Sequence, residues 1–454
     1  MDLMTGPLWT KILAFALPLA ATGVLQQLFN AADLAVVGRF TGAQSGVAMA
    51  AVGANAPIIG LVINTFIGIS LGTNVVIANA VGREDEDAIQ KAAHTSVLLA
   101  VVMGLFIAVC AQLFAVRILS AQNIPEDVLD LAVQYFRIYM AGAPVILLYN
   151  FESAVFRGIG NTKIPLLALS LSGVLNVALN LFFVCALHMM VEGVALATAL
   201  SNLVSSTILT VSLARHEGAA ALRLSRLRAD GASLKGILRN GVPAGIQAAV
   251  FSSANIIIQS AINSLGTVSM AASSAAYNIE VMAHQVLVSF SRACTTIVSQ
   301  NDGAGNYGRC KRSLVLCYLE GMAATALAMG TILFFGHQLL ALFNPDPEVI
   351  RNGYYRLVVI FISYFFTHTY ETIAGYLRGF GISVLPALLT MAGICGVRIA
   401  WIYTVFPSHR TFESIMMAYP LSLSTTALLV LAAMLWCRPA KGSIRQQEEA
   451  GRNG

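Results

Sequence analysis

Charged side chains are scarce in this chain. They make up 11% of its 454 residues, against about 25% in a soluble domain. So few charges cannot cover a water-facing surface of this size, which excludes an ordinary soluble protein. Alternation of apolar and polar residues over about ten positions is missing too, and with it the signature of a membrane β-barrel. Cysteine is limited to seven scattered positions. They form no CxxC pair and no zinc spacing, so they are read as small buried hydrophobes. There is no HExxH, no GxSxG and no P-loop. His368 and Glu371 stand at i, i+3, but no second ligand pair accompanies them. No catalytic residue, structural metal or cofactor is assigned, and the chain is not expected to be an enzyme.

Long apolar runs are what remains. Hydrophobic residues make up 57% of the chain. Ile12 to Val37, Ser96 to Val116 and Leu388 to Val405 approach or exceed the ~20 residues that cross a hydrocarbon core. Only helices satisfy their own backbone there. Punctuation at Gly, Pro and charge clusters predicts twelve spans, near residues 10–37, 46–79, 92–119, 129–156, 164–187, 191–214, 235–262, 270–300, 313–340, 349–376, 384–407 and 412–437. The first run is too long for a signal-peptide core and is taken as a span.

Basic residues alternate from loop to loop. Arg83 and Lys91, Arg157 and Lys163, the stretch Arg215 to Arg239, Arg309 to Arg312, Arg378, and the tail from Arg438 fall on one side. Arg39, Arg117, Arg351, Arg356 and Arg410 are assigned to the sparser loops opposite. Lys/Arg excess marks the cytoplasmic face, so both termini are expected in the cytoplasm of a bacterial inner membrane. The expected division is a lobe over 1–214, a basic amphipathic connector over 215–234, a second lobe over 235–437 and a polar tail over 438–454. The connector reads as a segment attracted to anionic lipid, and no nucleic acid is expected as a partner.

The two halves repeat each other. "YFRIYMAGAPVILLYNFESAVFRGIGNTKIP" is echoed by "YYRLVVIFISYFFTHTYETIAGYLRGFGISVLP". Glu371 follows Glu152 by 219 residues, and Pro386 follows Pro165 by 221. Pro18 matches Pro243. Each copy holds an even number of spans, so the repeat is parallel, as in transporters that bind substrate between two halves.

Polar residues inside the spans carry the functional reading. A carboxylate at a spanning helix's centre costs ~2.5–3.5 kcal/mol, and such residues mark ion or proton paths. Asp33 shares a stripe with Gln26 and Phe29, with Asn30 beside it. Asn176 and Asn180 lie at i, i+4 in span five, and Thr198 lies in span six. Asp33 with these neutral oxygens suits a proton or a transient Na⁺. In the second half, Gln247, Asn255 and Gln259 of span seven and Tyr277, Glu280 and His284 of span eight are candidates for a cavity wall. The wall would be anionic and suited to organic cations, unless Glu280 is tied up with His284 or Arg292. Glu152 and Glu371 are read as structural or gating partners of Arg157 and Arg378.

These residues resemble a known family. "LFNAADLAVVGRFTG", "RGIGNTKIP" with "SGVLNVALN", "GVPAGIQAAVFSSANIIIQSAINSLG" and "SAAYNIE…SQNDGAG" resemble the MATE (multidrug and toxic compound extrusion) transporters, in the DinF-like branch. The resemblance implies an all-α membrane protein of twelve transmembrane helices, in two six-helix bundles around a central cleft. It implies antiport of organic, often cationic and amphiphilic compounds against H⁺ or Na⁺ by alternating access. Asp33 matches the family's first-span acid, and Asn176 and Thr198 match its first-lobe polar site. This chain has Asn180 where an acid is common, so Asp33 is that site's sole titratable group. The alternative within the wider superfamily is a lipid-linked oligosaccharide flippase, which would need a basic cleft; only Arg137, Arg292 and Arg398 lie deep in spans. Small-molecule substrates and the bilayer are the expected partners of a monomer.

Overall fold

The computed structural model describes residues 1–40, 45–122, 124–223 and 227–439. The first half contains α1 (Leu8–Phe40), α2 (Ser45–Gly82), α3 (Glu86–Ser120), α4 (Glu126–Ala141), α5 (Ala143–Gly158), α6 (Lys163–Leu181) and α7 (Val191–Ala214). The second contains α8 (Gly231–Asn263), α9 (Thr267–Gly303), α10 (Tyr307–Phe334), α11 (Gly336–Phe343), α12 (Pro347–Gly379), α13 (Val384–Thr390), α14 (Val397–Thr404) and α15 (Phe412–Cys437). Among the described residues, eleven helices are long and apolar enough to cross a membrane, or twelve when the bent pair α4 and α5 counts as one span.

The expected spans are present, with three local departures. The fourth is two helices bent by 45°. The break falls at Gly142, and Pro144 in the first turn of α5 supplies no N–H to continue the ladder. The ninth stops at Phe335, before the short helix α11. The fifth and eleventh each contain a π turn, at Phe182–Ala186 and Met391–Gly396.

Helix α3 shows how these helices pack. Val102, Leu105, Phe106, Val109 and Leu113 are exposed and fall on one stripe, the face offered to lipid. The opposite face buries Ala100, Gly104, Ala111 and Ala115. Small residues inside and large ones outside let helices approach closely where lipid gives no hydrophobic drive between them. A Cβ on Gly104 would run into the backbone of Pro144. Ser96 donates to Thr73 at 3.0 Å, joining α3 to α2 inside the bundle.

The sequence repeat is also a repeat of backbone geometry. After α5, Gly160 has φ 83°, and after α12, Gly381 has φ 72°, a left-handed region that glycine enters without strain. Gly160 N–H donates to the Arg157 carbonyl and Asn161 N–H to that of Phe156. Gly381 donates to Arg378 and Ile382 to Leu377 in the same pattern. The Arg-Gly-x-Gly signature is thus a helix-ending turn built twice.

The chain packs into two compact units. Among the described residues, one comprises 1–23, 82–84 and 242–439; the other comprises those within 24–81 and 85–241. Helices α1 and α8 are each divided between them. In the first unit, Leu8, Ile12, Phe15 and Leu19 of α1 share a core with Phe290, Ile297 and Cys317. There Arg309 also donates to the carbonyls of Leu3, Thr5 and Gly6, and Asn301 to that of Leu3. In the second, a Cβ on Gly72 would meet the carbonyl of Ile237, and one on Gly241 that of Ile69. The start of α8 therefore lies directly on α2.

Candidate functional site

Asp33 sits in the C-terminal part of α1, facing α6 and α7. The Asn180 amide donates to one carboxylate oxygen at 2.5 Å, and the Thr198 hydroxyl lies 3.3 Å from the other. Asn180 Nδ2 is also 3.3 Å from Asn176 Oδ1, and Asn176 Nδ2 is 3.5 Å from Thr198 Oγ1. The four residues proposed from sequence form one cluster. Asn176 and Asn180 are buried in it. The Asn180 Oδ1 atom is also buried and has no hydrogen bond among the described residues, so the cluster holds an acceptor with nothing to accept. Arg39 does not enter the described contacts of Asp33.

Packing fixes α1 against α6. Phe29 lies over Gly173, where any Cβ would overlap its ring. Phe29 thus seats the helix that carries Asp33. Gln26 and Asn30 are exposed on the same helix.

The second half departs further from expectation. Glu280 is not the open carboxylate of an anionic wall. Arg356 binds it through two bonds, Nε to Oε2 at 3.0 Å and Nη2 to Oε1 at 2.8 Å. Arg356 Nη1 donates to Ser273 at 2.6 Å, and the Tyr364 hydroxyl donates to the Glu280 carbonyl at 3.3 Å. Arg356 is 3% exposed, inside α12 and not in a loop. Neither His284 nor Arg292 is the partner; the His284 ring lies edge-on to Tyr364. The expected span over 349–376 already contained Arg356, so counting it with the loop arginines conflicted with that boundary. Pro347 at its first position and Asp346 capping Glu348 N–H are the signals that set Arg356 well inside.

The remaining candidates are dispersed. Gln247, Asn255 and Gln259 are half-buried on α8. Gln259 donates to Asn263 of its own helix at 2.8 Å, and Asn255 Oδ1 lies 3.5 Å from Arg398 Nη1. Tyr277 is exposed. Glu371 pairs with Arg378 at 3.2 Å and lies within reach of the Ser291 hydroxyl. In the first copy of the repeat, Glu152 instead accepts from Thr210 at 2.6 Å. Sequence reasoning also passed over Glu320 of α10. Both of its carboxylate oxygens are buried without a hydrogen bond among the described residues. An acid near the middle of a spanning helix was the available signal. No group of three or more His, Cys, Asp or Glu that could hold a metal occurs among the described residues.

Fold and site together define a multispanning helical membrane protein with an internal duplication and an acid–amide–hydroxyl cluster inside its first half. The MatE family model matches twice, at residues 18–182 and 243–404. The two matches open at Pro18 and Pro243, the prolines that align in the sequence repeat. This chain belongs to the MatE family. It is 27% identical over 438 residues to the probable multidrug resistance protein YoeA of Bacillus subtilis (strain 168), covering 93% of this chain and 92% of that protein. It is 29% identical over 397 residues to the probable multidrug resistance protein NorM of Thermotoga maritima, covering 86% and 84%. A solved structure of a multidrug resistance MATE family transporter in an outward-facing conformation superposes with a TM-score of 0.88 at 21% identity, covering 98% of each chain. That likeness establishes the fold.

Proposed function

We propose that this protein is a secondary active multidrug exporter of the plasma membrane, with both termini cytoplasmic. It would expel organic, often cationic and amphiphilic compounds in exchange for H⁺ or Na⁺. The names of its relatives support the class of activity. The observation that carries the coupling is the Asp33 cluster, one carboxylate held by two neutral donors beside an unsatisfied amide oxygen. A proton would bind one Asp33 oxygen. A Na⁺ would be held by the Asp33 carboxylate with oxygens of Asn176, Asn180 and Thr198, a hard all-oxygen set. Either cation cancels the charge that otherwise binds the Asn180 amide and the Thr198 hydroxyl, so α1, α6 and α7 are held differently in the two states.

Coupling follows if the cation binds one access state better than the other, since only differential affinity shifts a conformational equilibrium. One net charge moving through 100 mV supplies about 2.3 kcal/mol, enough for a roughly 50-fold gradient of a drug without net charge; one-for-one exchange with a monovalent cationic drug moves no net charge and draws on the ion's concentration gradient instead. The test uses the purified protein in proteoliposomes carrying a dye such as ethidium. An imposed H⁺ or Na⁺ gradient should drive dye across the membrane. If neither gradient moves it faster than in protein-free vesicles, the reading fails.

A further inference from the structure

The duplication gives the Asp33 cluster a counterpart in the second half, and that counterpart has the opposite charge. Aligning Pro18 with Pro243 places Ile258 opposite Asp33 and Asn255 opposite Asn30. Helices α6 and α13 begin 221 residues apart, and so do α7 and α15. Between those points the π turns matter, because each inserts one residue into an α-helical register. The π turn at Met391–Gly396 precedes Arg398, whereas the one at Phe182–Ala186 follows Asn180. The local offset is therefore 222, which puts Arg398 opposite Asn176. By α15 the registers agree again, and Tyr419 stands opposite Thr198. Acid, amide and hydroxyl are replaced by Ile258, Arg398 and Tyr419.

The packing bears out this correspondence. Arg398 lies over the Tyr419 ring at 4.3 Å, as Asn176 approaches Thr198 in the first copy. Phe251 lies on another side of it, 5.7 Å from the guanidinium. Arg398 Nε donates to Ser422 at 3.0 Å, and Nη1 reaches Asn255 at 3.5 Å. Nη2 has no hydrogen bond among the described residues, and no described carboxylate is ion-paired with Arg398. Yet the residue is 3% exposed. The neighbouring Arg356, also beside Tyr419, is neutralised by Glu280; Arg398 is not. A buried guanidinium without a counter-charge is expensive, more so inside a membrane protein. A Tyr face and two neutral oxygens offset only part of that cost. Asn255, on the Nη1 side of the group, is itself half-buried.

We propose that Arg398 is a recognition site for a carboxylate carried by an aromatic substrate. The planar guanidinium fits a carboxylate bidentately, and the half-buried Phe251 beside it is an aromatic neighbour for the attached ring system. Resting on the exporter reading above, this makes zwitterionic aromatic compounds, with a cationic centre and a free acid, preferred over purely cationic ones.

The experiment measures equilibrium binding to the purified full-length protein by fluorescence anisotropy, without any ion gradient. The probes are rhodamine B, which carries a free carboxylate, and its ethyl ester, the same ring system with the acid masked. The wild type should bind rhodamine B roughly tenfold or more tightly than the ester, the range of a charge-assisted hydrogen bond. Arg398→Gln should bring the two to parity by weakening rhodamine B alone. Arg398→Lys, which keeps the charge, should keep much of the preference and controls for misfolding. No preference in the wild type, a preference that survives Arg398→Gln, or equal weakening of both probes overturns the proposal. Failure of the exporter reading looks different: selective binding would persist while no gradient moved either dye.

Discussion

Replacing Asp33 by Asn keeps the side chain's shape and one acceptor oxygen while removing the group that a cation can neutralise. The Asn180 and Thr198 contacts can partly survive, so Asp33→Asn should reach the membrane at normal levels and confer no drug resistance in a susceptible host. Normal resistance would remove Asp33 from the mechanism. Glu280 should behave in the opposite manner. Glu280→Gln leaves the buried Arg356 without its counter-charge, a change that costs roughly 3–5 kcal/mol in soluble proteins. Its signature should be a clear drop in thermal stability in detergent. The Asp33 cluster was legible in the sequence because each member is a polar residue in an otherwise apolar run. Arg356 was not, because it was grouped with the loop arginines although it falls inside the expected span over 349–376. The partner of Glu280 was therefore sought on its own helix, when it lies on another.

At the scale of elements, the Arg-Gly-x-Gly turns make a paired prediction. A left-handed conformation costs a residue with a Cβ about 1–2 kcal/mol. Gly160→Ala and Gly381→Ala should therefore lower stability by similar amounts, measured as melting shifts of the purified protein. Unequal shifts, with one near zero, would mean that the two turns are not equivalent. The helices themselves were readable from hydropathy and length. Their interruptions were less so. The bend at Gly142 has a visible cause in Gly142 and Pro144, but the two π turns have no sequence signal of comparable strength. They matter because one inserted residue turns the rest of a helix by about 100°, which decides whether position 398 or 397 faces Tyr419.

For the whole molecule, the duplication was legible because a fixed offset of about 220 residues recurs at glutamates, Arg-Gly turns and prolines. The packing of the start of α1 with the second half of the chain, and of the start of α8 with the first, was not. Both helices read as continuous apolar spans; the partners change at Gly23, five residues after Pro18, and at Gly241, two residues before Pro243, but a glycine and a proline in a span do not by themselves say that packing partners change there. The strap of Leu3, Thr5 and Gly6 on Arg309 follows from that arrangement. Arg309→Ala should loosen it, raising proteolytic cleavage near the N-terminus without abolishing transport; an unchanged cleavage pattern would show that the strap does not depend on Arg309.

The central claim, that occupancy of Asp33 by a small cation is exchanged for drug, is tested most directly by running the cycle backwards. Proteoliposomes containing the wild-type protein receive an imposed drug gradient and no ion gradient, and H⁺ and Na⁺ movements are recorded separately. One cation should move opposite to the drug in the wild type, and that movement should disappear in Asp33→Asn. Cation movement of the same size in both proteins, or drug flux with no cation movement in the wild type, would contradict it.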